Sequence, residues 1–176
     1  MKSSTKITLC ALTSALATAI MLMSFIPTLT YAIPAMAGFM VLMPMVEVDY
    51  KYSFATYIVT SILVMLVVAE KEAAVLYVCF FGHYPIVKAL VEKIRKSVIE
   101  WILKIGIFNL CVVAAYWIST LVTEVYIEEL GDFGKYSVYV LLGLANIIFV
   151  IYDIAISRAA TVYIYKIHPQ IKKIMK

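Results

Sequence analysis

The chain has 176 residues, 64% of them hydrophobic and 15% charged, with a net charge of +4 and a mean hydropathy of +0.97. Soluble domains run at roughly 45–50% apolar residues, so a soluble fold of this length is excluded: it has no interior large enough to hide the excess. The basic excess lies mainly beside the apolar runs and therefore reports topology; the expected partner is the lipid bilayer, and no nucleic-acid partner is expected.

The apolar runs predict one all-α transmembrane domain over 1–176, a compact bundle of six spans of roughly 20 residues with short connections. The expected spans are approximately 7–26, 31–46, 52–69, 73–93, 98–122 and 136–162. Span 1 follows Lys2 and Lys6 and could be taken for a secretion signal, with Ala35-Met36-Ala37 as small residues for cleavage. The apolar sequence runs on past that point without a secreted domain, which argues against a signal. Ala11, Ala15 and Ala19 recur on span 1 at four-residue spacing. They form a flat strip that another helix can approach closely, either within the chain or on a partner.

Pro27 and Pro34 bracket the first connection, and Glu47-Val48-Asp49-Tyr50-Lys51 forms a polar turn before span 3. Span 4 has an irregular middle, Gly82-His83-Tyr84-Pro85. Proline has no amide proton, so a bend and a free carbonyl at Phe81 are expected. At helical spacing Tyr77, Phe81, Tyr84 and Lys88 share a face, which is expected to look into the protein and away from lipid. Between spans 5 and 6 lie Glu124, Glu128, Glu129 and Asp132 with Gly131 and Gly134. With six spans, Lys2, Lys6, Lys93, Arg95, Lys96, Lys166, Lys172 and Lys173 all fall on one side, which places both termini in the cytoplasm.

Three polar side chains sit near mid-membrane on successive spans: His83, Asn109 and Asn146. Tyr116 shares a face with Asn109, and Tyr139 shares one with Asn146 and Asp153. Such stripes can enclose a small-molecule site with aromatic walls, or the polar groups can bond one another across helices. The candidate substrate-binding set is Tyr77, Phe81, His83, Tyr84, Asn109, Tyr116, Tyr139 and Asn146. Asp153 lies roughly 6 Å from the middle of span 6 by rise per residue. A lone carboxylate there is costly, so a buried ion pair with Lys88 or Lys104 is expected in preference to a proton or ion relay. Glu92, Lys93, Arg95 and Lys96 read as solvated span ends, and Trp101 and Trp117 as interface anchors.

Signs of catalysis are poor. There is no Gly-rich phosphate loop, no His-x-x-x-His spacing and no Ser/His/Asp set at a shared depth, so no enzyme, cofactor or metal site is expected. Cys10, Cys79 and Cys111 all lie in apolar spans without ligand spacing and read as small buried hydrophobes.

Six short-looped spans, cytoplasmic termini, the span 1 alanine strip and a proline-marked first outer loop together resemble the substrate-binding S components of energy-coupling factor (ECF) transporters. The resemblance covers essentially the whole chain. It implies a bacterial plasma-membrane protein that captures a small vitamin-like or aromatic nutrient from outside. Ala11, Ala15 and Ala19 would dock on the transmembrane T component, which works with ATPase subunits. The turn around Pro27–Tyr31 and the loop Glu70–Glu72 would form the lid. No residue set points to a particular vitamin, and Glu47 and Asp49 stand where many relatives have a Gly-Pro-rich turn. A different class fits the same outline: a non-enzymatic membrane scaffold resembling the cell-shape protein MreD, which would need the strip but no pocket. An intramembrane enzyme would need a second carboxylate or a nucleophile beside Asp153.

Overall fold

The computed structural model describes residues 3–26, 29–123 and 137–174. Pro27, Thr28 and the acidic connection holding Glu124, Glu128, Glu129 and Asp132 lie outside the described residues, as do Lys2 and the side chains of Lys172 and Lys173. The described residues are helical, with no strand among them. The helices are α1 (Ser3–Met21), α2 (Ala32–Met40), α3 (Leu42–Glu47), α4 (Tyr50–Val67), α5 (Lys71–Leu76), α6 (Tyr84–Val91), α7 (Ser97–Thr123), α8 (Ser137–Val162) and α9 (His168–Ile174).

Five stretches are long and apolar enough to cross a membrane: Ser3–Phe25, Tyr50–Val67, Lys71–Ile94, Ser97–Ser119 and Tyr139–Ile171. A shorter apolar stretch, Ala32–Glu47, is divided between α2 and α3. The Lys71–Ile94 stretch is 56% buried, against 28% or less for the other four. It is therefore the central helix, and the others surround it.

Polar anchors define two ends. At one, Glu47 Oε1 accepts the Tyr163 hydroxyl at 3.0 Å and lies 2.9 Å from His168 Nδ1. Lys93 and Lys6 stand over the Tyr50 and Tyr52 rings, 5.9 and 5.6 Å from their centroids. This basic end gathers the start of α1, the α3–α4 turn, the end of α6 and the end of α8. The acidic Glu47 among these basic residues thus serves as an anchor for the last helix. In the same turn the Asp49 carboxylate accepts the Tyr50 amide at the start of α4. At the opposite end the Tyr31 hydroxyl donates to Glu72 Oε1 at 2.9 Å. Partial burial, then that carboxylate, raises the Tyr31 phenol above its ordinary range. Lys71 Nζ donates to the Met65 and Val68 carbonyls, closing the C-terminal end of α4.

The interface of α1 and α4 is lined by small polar residues: Thr13, Ser14, Ser53, Thr56 and Thr60 are all buried. Thr13, Thr56 and Thr60 return their hydroxyls to carbonyls of their own helices. Ser14 reaches the Thr56 carbonyl and Ser53 reaches the Val41 carbonyl at the α2–α3 break. Each hydroxyl is thereby satisfied while the helices approach closely.

The central helix is irregular earlier than its proline suggests. Residues Tyr77–Phe81 form a π turn, closed by the Gly82 amide on the Tyr77 carbonyl at 2.8 Å. Pro85 lies in the first turn of α6, where a missing amide proton costs little. A π turn holds one residue more than an α turn. The Tyr77–Lys88 stripe consequently does not keep to one face. Tyr77 joins a core with Ala17, Met21, Ala37 and Val64, whereas Tyr84 joins a second core with Leu42, Phe80, Phe108, Phe149 and Tyr152. The carbonyl put to use is that of Val78, which accepts the Tyr57 hydroxyl at 2.7 Å. The Phe81 carbonyl instead abuts Gly38 of α2.

Candidate functional site

Two polar side-chain groups tie α6, α7 and α8 together. The first joins α6, α7 and α8 towards the basic end. Lys88 Nζ lies 2.5 Å from Asp153 Oδ1, 3.0 Å from Glu92 Oε1 and 3.1 Å from the Asp153 carbonyl oxygen. Lys104 Nζ lies 2.8 Å from Glu92 Oε1 and 3.3 Å from Asp153 Oδ2. The Tyr84 hydroxyl donates to Asp153 Oδ1 at 2.6 Å, and Ser157 donates to the Asp153 carbonyl. Two cations and two carboxylates balance, and every oxygen of Asp153 has a donor. The side chains of Lys88, Lys104 and Asp153 are at most 6% exposed, whereas that of Glu92 is 43% exposed. The cluster therefore runs from a dry centre to an accessible rim.

Asp153, one α-helical turn before Ser157, carries its charge inside a bundle of helices apolar enough to span a membrane. Insertion of one charged residue at a helix centre costs about 2.5–3.5 kcal/mol, and paired charges offset that cost. Glu92 belongs to the same cluster and not to a solvated end. Its spacing of four residues from Lys88 carries the signal. Glu92 is a second carboxylate near Asp153, but lysine ammonium groups bridge the two. Both are held as ion-pair acceptors, an arrangement suited to fastening helices.

The second group is Asn109 with Asn146, farther along α7 and α8. Each amide donates to the other's carbonyl oxygen, at 3.2 and 3.1 Å, and each also donates to a carbonyl of its own helix. Around the π turn, Tyr57 meets Tyr77 and His83, with centroids 6.5 and 5.5 Å apart. His83 Nε2 lies 3.8 Å from Cys111 Sγ. Phe80 stands at the centre of the second core, touching the rings of Phe81, Tyr84, Phe108, Phe149 and Tyr152.

The eight residues expected around a ligand therefore occupy distinct places. Phe81 and Tyr84 belong to the packed aromatic interior, with Tyr84 bonded to Asp153. Tyr77 and His83 lie beside Tyr57. Asn109 and Asn146 form a pair, while Tyr116 and Tyr139 are exposed. No residue of α8 from Tyr139 to Ile148 is buried, and Ala115 is the last described α7 residue that is. The far halves of these two helices thus carry polar and aromatic side chains with little packed against them. On α1, Ala11, Ala15 and Ala19 are exposed, as are Leu12 and Leu16, while Thr13, Ala17 and Met21 face the bundle. Among the described residues no three His, Cys, Asp or Glu side chains meet as a metal site.

Among the described residues the fold and these groups define an all-helical protein with five stretches long and apolar enough to cross a membrane and a buried charge cluster. No family model, no curated protein and no solved structure matches the chain.

Proposed function

We propose that the chain is the substrate-binding subunit of an ECF-type uptake transporter in a bacterial plasma membrane. In this reading it spans the membrane six times, the shorter α2–α3 stretch included, with the basic end and both termini in the cytoplasm. It is not an enzyme and uses no cofactor. It captures a small vitamin-like or aromatic nutrient from outside and docks on a T component and its ATPases. The observation that carries the reading is the uncovered strip on α1: Ala11, Ala15 and Ala19 point away from the bundle, whose contacts use the opposite face. The sparsely packed far halves of α7 and α8 support a ligand site that includes Asn109, Tyr116, Tyr139 and Asn146.

Replacing Ala15 with Trp tests this. The bulky ring fills the strip and keeps a partner helix at a distance. The isolated protein should keep its thermal stability within about 0.5 kcal/mol, as for a surface change, while co-purification with coexpressed T component and ATPases is lost. Unfolding of the isolated variant would show that the strip packs internally.

A second reading has an observation of its own. The aromatic interior around Phe80 is filled ring against ring and the asparagines satisfy each other, so these two groups hold helices together without a ligand. That suits a scaffold of the MreD type, which would use the same strip for assembly and would retain no small molecule.

A further inference from the structure

A shallow groove of about 600 Å³ runs along the outer side of α7, lined by Ser97, Val98, Trp101, Ile102, Ile105 and Gly106. Its floor is open at Gly106, where an added Cβ would meet nothing within 4 Å. From Ser97 to Gly106 the helix rises roughly 14 Å. That is about half of a hydrocarbon core roughly 30 Å thick, the depth of one leaflet. The groove begins at the basic end, directly after the exposed Lys93, Arg95 and Lys96. None of the three makes an ion pair among the described residues; Lys93 only stands over the Tyr50 ring. Arg95 ends the short 3-10 turn in the left-handed region, at φ 57°, and so turns the chain into α7. Within the segment from Glu92 to Glu100, Glu92 is held by Lys88 and Lys104, which leaves Glu100 as the other carboxylate beside the three cations.

We propose that this groove is a binding site for an anionic phospholipid. One acyl chain lies along Val98, Trp101, Ile102 and Ile105 and reaches Gly106. The headgroup phosphate meets Lys93, Arg95 and Lys96. A partner helix laid in the groove would leave those cations without counter-charge, whereas an anionic lipid supplies it from the same layer in which the chain lies. The site is independent of transport and holds equally for a scaffold.

Trp101 reports on the groove directly. The Trp117→Phe variant leaves it as the only tryptophan, since the chain has two. That protein is reconstituted in bilayers containing increasing fractions of phosphatidylglycerol or phosphatidylcholine, each with dibrominated acyl chains that quench indole fluorescence on contact. Brominated phosphatidylglycerol should quench Trp101 at a several-fold lower mole fraction than brominated phosphatidylcholine. The added Lys93→Gln, Arg95→Gln and Lys96→Gln substitutions should together remove that preference. Equal quenching by the two lipids overturns the site, as does a preference that survives the three substitutions. Absence of quenching by either lipid overturns it too, since a protein surface then covers the groove. If the charge variant does not insert, Gly106→Leu fills the groove floor and leaves the cations in place. It should raise the fraction of brominated phosphatidylglycerol needed for half-quenching, and unchanged quenching refutes the acyl-chain placement.

Discussion

Replacing Asp153 with Ala should destabilise the protein by about 3–5 kcal/mol, the cost of leaving buried charge without its partner. Asp153 accepts from Lys88, Lys104 and Tyr84 at once. Its loss leaves two buried ammonium groups sharing the single carboxylate of Glu92. Thermal unfolding in detergent reads this as a large fall in midpoint. Lys88→Met should also be costly, because Asp153 then keeps only the longer 3.3 Å contact to Lys104 and the Tyr84 hydroxyl. The double variant Lys88→Met/Asp153→Leu should be more stable than either single one, since removing both charges removes the imbalance. Mild, additive effects would mean that water screens the cluster and that it does not fasten the helices.

A second large effect is expected at Gly38. A Cβ placed there would collide with the Phe81 carbonyl oxygen and come within 3.1 Å of its carbonyl carbon and 2.9 Å of the Tyr152 hydroxyl. The obstructing atoms are largely backbone of the central helix and cannot swing aside. Gly38→Ala should therefore cost about 1–3 kcal/mol by overpacking, although alanine is the better helix former. Gly143 provides the comparison. Nothing lies within 4 Å of its added Cβ, so Gly143→Ala should leave thermal stability unchanged or raise it by up to about 1 kcal/mol. Equal tolerance at the two positions would contradict the close packing of α2 on the π turn.

Both sites show what the sequence could and could not convey. Apolar run lengths mark the helices because a spanning segment must meet a length and hydropathy requirement on its own. Asp153 stands out because a carboxylate at that depth demands a partner, and the lysines available are few. Glu92 was obscured by its neighbours: in the run Glu92-Lys93-Ile94-Arg95-Lys96 it reads as one more solvated charge, and only the positions of α6 and α7 place it against Lys104. The alanine spacing on α1 marks a flat strip without saying which way it faces, because Ala17 makes the opposite face small as well. Gly38 carries no local signal; its role depends on a carbonyl 43 positions away in the chain. The π turn was likewise hidden, since Gly82 and Pro85 predict an irregular segment but not the added residue that separates Tyr77 from Tyr84.

The reading as a nutrient-binding subunit stands or falls on whether a small molecule occupies the bundle beside Asn146. The direct measurement is native mass spectrometry of the protein purified from its native membrane, alongside Asn146→Ala. One organic molecule of aromatic character should be retained per chain. Deleting the Asn146 side chain removes a partly buried hydrogen-bonding group, so retention should fall by about 5- to 150-fold, equivalent to 1–3 kcal/mol. The thermal stability of the empty protein should change little. The contrary result is a protein that carries no small molecule and an Asn146→Ala variant that is less stable when empty by a similar amount. That outcome would make the Asn109–Asn146 pair a helix fastener and the chain a scaffold.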